Sequence, residues 1–214
     1  MNTAVGAKTA EPLALVEALA HELRQPLSAM ESTAYYLAMV LPRCEKRAQE
    51  HASRLQRLIE QANWILCCAV QLADTSPLIV EPLDLEALIA ETVAWQVAEG
   101  GDRPQLDLAG ELPLICLDPG RARHLLKNLL AMMTRATGSE HPVRVRTSRE
   151  AGVVLDLTVN TRGQGPEACF GAGASLGIES ARRIVEAHGG TFQIAFGAAS
   201  GARVRIVFME TTAR

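Results

Sequence analysis

Aromatic residues are scarce: Phe, Trp and Tyr make up 4% of the 214 residues. The stacking platforms that bind single-stranded nucleic acid are therefore not expected. Long apolar runs are missing too. The opening stretch "MNTAVGAKTAEPLALVEALAHELRQ" is interrupted by Glu17 and then by His21 and Glu22, so it does not read as a signal peptide. No window approaches the roughly 20 apolar residues of a membrane span. These absences lead us to expect a cytoplasmic protein with no membrane span. An excess of one charge is also absent. Lys and Arg number 21 against 24 Asp and Glu, a net charge of -3, which does not suggest a nucleic-acid partner. The five cysteines, Cys44, Cys67, Cys68, Cys116 and Cys169, show no metal-ligand spacing. They read as reduced thiols packed as small hydrophobes, and no metal site is expected from them.

What is present divides into two halves with different periods. In the first half Leu13, Val16, Ala20, Leu23, Leu27, Met30, Ala34, Leu37 and Leu41 recur at alternating steps of three and four. Leu55, Leu58, Ala62, Ile65, Ala69 and Leu72 repeat the pattern. Both are the stripes of long amphipathic helices. Pro12 suits a first turn, Pro42 an ending, and the short charged link "PRCEKRAQE" predicts an antiparallel hairpin. Two helices cannot bury a continuous stripe alone. A homodimer forming a four-helix bundle through residues about 10–75 would bury it. Packing of the stripe on the second half of the same chain is the alternative.

"DTSPLIVEPLDLEAL" breaks the pattern with two prolines, and the boundary is expected near Ser76, giving domains 1–75 and 76–214. Beyond it "LEALIAETVAWQVAEG", "PGRARHLLKNLLAMMTRAT" and "SLGIESARRIVEAHGG" read as helices, the last stopped by Gly189 and Gly190. "PQLDLAG" and "LPLICLD" read as short strands, and "VRVRTSREAGVVLDLTVN" and "TFQIAFGAASGARVRIVF" as hairpins. "RVRTSR" is expected at an exposed sheet edge, and His51 and His124 on solvated helix surfaces. His188 is expected as a helix cap or packing group. The fold class is α+β, with three helices covering one face of a mixed sheet.

The stretch "HELRQPL", His21 to Leu27, closely matches the phosphoacceptor box of bacterial sensor histidine kinases, His-Glu-Leu-Arg-x-Pro-Leu. "LDPGRARHLLKNLLAMM" and "SLGIESARRIVEAHGGTFQI" follow two segments of that family's ATP-binding domain. The chain thus resembles a sensor histidine kinase core from about Leu13 to Phe208. The resemblance implies a dimerization and histidine-phosphotransfer hairpin followed by an α/β sandwich of the histidine-kinase ATPase type. It also implies three catalytic residues. His21 would accept the phosphoryl group on a neutral imidazole nitrogen. Glu22 would take or orient a proton. Gln25 would orient a water in a phosphatase reaction. Pro26 would leave the Glu22 carbonyl unpaired and bend the helix where partners dock.

Against the family's nucleotide boxes the sequence departs. Asn128 is kept, but the magnesium-holding asparagine falls on Met132, which offers no oxygen to a hard cation. The adenine-reading aspartate falls on Thr161, ahead of Gly163 and Gly165. Asn160 is next door but would face away on a strand. The last glycine box reads Gly173, Ser175 and Gly177, close behind Gly165, so the lid is nearly absent. The glycines then read as turn and packing positions of a vestigial nucleotide site. Together these departures favour a phosphorelay protein, without ATP or magnesium, that carries phosphoryl groups on His21 between response-regulator receiver domains. The alternative is an ATP- and Mg2+-dependent kinase in which Asn128, with Glu140 or Asn160, substitutes for the lost groups. A third reading is a regulatory module that blocks a true kinase.

Overall fold

A computed structural model describes residues 7–40, 46–137, 142–161, 165–171, 173–197 and 201–210. The chain divides into two compact units, Met1–Ser76 and Pro77–Arg214. The first holds two helices packed together, α1 (Ala7–Val40) and α2 (Lys46–Ala73). Helix α1 begins at Ala7, so Pro12 lies inside it and not in its first turn. The helix also runs unbroken through Pro26. Just beyond Pro26 the hydroxyls of Ser32 and Thr33 donate to the carbonyls of Ser28 (3.0 Å) and Ala29 (2.8 Å). Leu41 and Pro42 lie outside the described residues.

The packed seam is narrower than the stripe. Ala20, Ala34, Ala52, Ile59 and Cys68 are buried. Leu23, Met30, Leu37, Leu55 and Leu58 remain exposed, Leu23 at 48% and Met30 at 51%. On α2 the buried positions are therefore not those expected. Ala52 and Ile59, seven residues apart, share one buried edge, and Cys68 is buried on another side of the helix. Small alanines on α1 let the two backbones approach, which leaves the larger side chains outside.

The second unit is an α+β sandwich, as the sequence suggests. Its elements are β1 (Glu81–Leu83), α3 (Leu85–Ala98), β2 (Gln105–Asp107), β3 (Ile115–Leu117), α4 (Pro119–Thr137), β4 (Arg144–Arg149), β5 (Val153–Val159), α5 (Pro166–Phe170), α6 (Ala174–Ala187), β6 (Thr191–Gly197) and β7 (Gly201–Phe208). Strands β2-β4-β5-β7-β6 form one sheet in that order. The β2–β4 pair is parallel and the others antiparallel. β1 and β3 pair separately. Strand β1 and the short helix α5 were not legible: Pro82 argues against a strand, and five residues are too few to show a period. β4 is not an edge strand. It pairs on both sides, and its arginines project from the open sheet face.

The core lies between the sheet and the helices. Val145, Leu155, Leu157, Val204 and Ile206 meet Ile89, Leu125, Leu129, Ile184 and Val185, all buried. Each contributes about 1.5–3 kcal/mol by leaving water. Local signals fix the entries. The Asp84 carboxylate accepts from the Glu86 and Ala87 amides at 2.9 and 3.0 Å, capping α3. Gly201 sits at φ +72, and a Cβ there would stand 2.0 Å from the Val159 carbonyl, so only glycine fits the start of β7.

The α4 and α6 helices are tied at their ends. His188, the C-cap of α6, accepts at Nε2 from the Asp118 amide (2.9 Å). Its Nδ1 therefore carries the hydrogen and donates to the Ile184 carbonyl (2.6 Å). Burial pushes the Asp118 carboxyl up. Amide donors from Arg121, Ile79 and Gly120 outweigh it and set the group below the usual range.

Candidate functional site

Two groups of candidate residues lie in the two units. The first is on α1. His21 is exposed, directly after Ala20, which is 1% exposed in the seam. Helical geometry turns successive residues by about 100°, so burying Ala20 places the His21 ring on the flank of the hairpin. Gln25, one turn on, is exposed, as is Pro26. Glu22 lies within the same helix. With no amide hydrogen on Pro26, the carbonyl of Glu22 has no partner in the helix ladder. Arg24, of the same box, reaches across to α2, where its guanidinium lies 3.8 Å from the Cys67 sulfur.

The second group is at the glycine-rich end of the sandwich. Asn128 is buried on α4, and its side-chain amide donates to the Gly177 carbonyl on α6 at 2.8 Å. These two expected residues are thus brought together by a structural bond. Gly165 (φ +103) and Gly173 (φ +84) occupy left-handed conformations at the N-caps of α5 and α6. Gly163 lies outside the described residues, as does Glu140. Asn160 is exposed while Thr161 beside it is buried, so the two point apart.

The residues at the family's magnesium and adenine positions do not fit those groups. Met132 is 0% exposed and part of the core. The Thr161 hydroxyl donates to the Cys169 carbonyl at 3.4 Å. Sequence reading missed Glu167. Its carboxylate accepts from the Ser175 amide (3.1 Å) in the first turn of α6, the place where a helix N-terminus attracts an anion. Hydrogen bonds from the Ser175 side chain and backbone hold the Glu167 carboxyl below its usual range. Its only sequence signal is an acid eight positions before an intended helix start, which no local rule reads.

The other histidines separate. His51 is exposed. His124 is not solvated as expected. Its Nε2 is buried and has no hydrogen-bond partner among the described residues. It lies one turn before Asn128 on α4, on the side that meets α6. Burial, and then the charge of Lys127, lower its pKa to about 4, so it is neutral at pH 7. Among the described residues Cys67, Cys68, Cys116 and Cys169 form no disulfide. No His, Cys, Asp and Glu cluster there could hold a metal. No described helix is long and apolar enough to cross a membrane.

No protein-family model matches the chain. The sensor histidine kinase ZraS of Escherichia coli O157:H7 is 30% identical over 204 residues, covering 88% of this chain and 44% of that protein. ZraS of Klebsiella oxytoca is 26% identical over 203 residues, with the same coverage, 88% and 44%. The chain therefore spans less than half the length of these curated relatives. Among solved structures, full-length ShkA in complex with AMPPNP superposes with a TM-score of 0.60 at 23% identity, over 94% of this chain and 47% of that one. The histidine kinase AdeS of Acinetobacter baumannii gives 0.56 at 15% identity, over 90% of this chain and 98% of that one. Both carry the same α+β architecture.

Proposed function

We propose that this chain, a homologue of sensor histidine kinases with their core fold, carries a phosphoryl group on His21 in two-component signal transduction. The observation that supports it is the exposed His21 ring, set beside buried Ala20 within an intact phosphoacceptor box. An imidazole nitrogen there meets a partner's phosphoryl group without displacing any packed side chain. Glu22 is assigned to proton handling at the ring and Gln25 to orienting water in the reverse, hydrolytic direction. The exposed Leu23, Met30, Leu55 and Leu58 support a homodimer through the hairpin, with receiver domains docking beside His21. Residues 1–75 then form the dimerization and phosphotransfer domain, and 76–214 the kinase-type domain.

The relatives support ATP as the phosphoryl source, and they favour that reading over relay between receiver domains. One specific arrangement favours relay. At the glycine-rich end, Asn128 is bonded to Gly177, Met132 lies in the core, and Glu167 holds the Ser175 amide. One experiment separates the two. The protein and its His21→Ala variant are incubated with γ-labelled ATP and magnesium, and in parallel with a labelled receiver domain. Autophosphorylation predicts label from ATP. Relay predicts label only from the receiver. Both predict none on the variant, and label from neither donor contradicts the proposal.

A further inference from the structure

The face of the five-stranded sheet opposite the helices carries none of the candidate site residues. It forms a cavity of about 400 Å³ lined by Arg144, Arg146, Asp156, Thr158, Arg203 and Arg205 among others. The strand register sorts these groups into two rows.

In one row Asp107 faces Arg146, which faces Asp156, which faces Arg205. Charges balance here. Arg146 lies 3.4 Å from Asp107. Arg205 lies 3.2 Å from Asp156 and 2.5 Å from Glu150.

In the next row Gln105 faces Arg144, which faces Thr158, which faces Arg203. This row contains no acid. Arg144 uses Nε on the Gln105 side-chain oxygen (3.4 Å) and, among the described residues, makes no ion pair. Arg203 is bound to Asp156 through Nε and one terminal nitrogen, both at 2.9 Å. Among the described residues its other terminal nitrogen has no bond, nor has either of Arg144's.

We propose that Arg144, Thr158 and Arg203 form a binding site for a phosphate group. Directly opposed residues on adjacent strands point to the same side, so the three side chains stand in line on the open face. Neighbouring strands lie about 4.8 Å apart, which puts the two arginines some 10 Å apart with the hydroxyl between them. The two terminal nitrogens of Arg144, the remaining one of Arg203 and the hydroxyl between them offer donors to a tetrahedral oxyanion. Asp156 does not oppose it. Two arginines neutralise that carboxylate, and the residue is only 8% exposed. It holds Arg203 by Nε and one terminal nitrogen. The ligand class is a soluble polyphosphate or a phosphorylated lipid headgroup, which share this chemistry. The site is on the sheet layer, away from α4 and α6, so it is separate from the vestigial nucleotide boxes.

The test is calorimetric titration of the whole chain with tripolyphosphate at low salt, beside co-sedimentation with vesicles containing a phosphoinositide. Saturable binding to one probe or both is expected, weakening as salt rises. Arg144→Gln should weaken it at least tenfold with an unchanged melting temperature, because Arg144 makes no ion pair among the described residues. Thr158→Val should weaken it several-fold. Arg149→Gln is the control: that arginine pairs with Glu210 at 2.6 Å, outside the cavity, and its loss should change nothing. Binding to tripolyphosphate points to a soluble ligand, and binding to vesicles alone to a lipid headgroup. No binding to either probe, or equal binding by Arg144→Gln, overturns the proposal.

Discussion

The two units of this chain treat their polar residues in opposite ways. On α1, His21 stands in solvent one position from the seam, with Gln25 and Pro26 beside it in the open. At the glycine-rich end the corresponding positions are turned to internal use. Asn128 bonds α6, Met132 fills the core, the Thr161 hydroxyl meets a backbone carbonyl, and Glu167 holds the first turn of α6. The first unit leaves these groups open to solvent. The second has spent similar positions on holding its own helices together. The same backbone frame serves both outcomes, because frame depends on apolar pattern and chemistry on a few side chains.

Four substitutions or titrations sharpen this contrast. The largest effect is expected from Met132→Asn. Restoring the family's residue places an amide in a fully buried site, costing about 4 kcal/mol from lost apolar contact and desolvation. The second unit should melt markedly lower by calorimetry. A melting temperature at or above wild type would mean that the site retains room for a polar ligand.

Next comes Pro26→Ala, which returns a donor to the Glu22 carbonyl. Denaturant unfolding of the first unit should show a gain of about 2–3 kcal/mol. Phosphoryl transfer at His21 should slow, if the unpaired carbonyl loosens the docking surface. An unchanged rate would separate the proline from the chemistry.

The third is a titration. His124 has a folded pKa of about 4 against an ordinary value of 6.5. Below pH 6.5 the unfolded chain takes the proton and the folded one does not. Stability is therefore full above that value and falls as pH drops toward 4, by about 2 kcal/mol after allowing for partial exposure. Asp118 and Glu167, both held below the usual carboxylate range, lose their contributions at lower pH in the same direction. The comparison with His124→Leu isolates the histidine, and that variant should lack the loss between pH 6.5 and 4.

The smallest effect is expected from Glu167→Ala. Removing the carboxylate frees the Ser175 amide, and affinity for Mg-ATP should rise several-fold. An affinity that does not change would mean that this amide is not what limits nucleotide binding.

Much of the fold was legible because its signals are long or local. The step of three and four over α1 and α2, the alternation in β4 and β7, and the stops at Gly189 and Gly190 needed no tertiary information. The misses were short or depended on partners. β1 spans Glu81–Leu83 with a proline at its centre, and it exists because β3 offers it a ladder. The seam of α2 runs through Ala52 and Ile59 and leaves Leu55 and Leu58 outside, since small alanines on the facing helix decide which edge packs. The phosphoacceptor box could be read as one run, His21 to Leu27. Glu167 could not, because its role depends on where Ser175 arrives in space. His124 looked solvated among Arg123 and Lys127, but a helix packed between neighbours buries positions that a charge count assigns to water.

The most direct measurement is the location of the phosphoryl group. The protein, labelled by whichever donor succeeds, would be digested at neutral to mildly alkaline pH and the phosphopeptides mapped by mass spectrometry. The account predicts one phosphohistidine, on His21, with His51, His124, His141 and His188 unmodified. A phosphoryl group on another residue, or label that persists in His21→Ala, would contradict it.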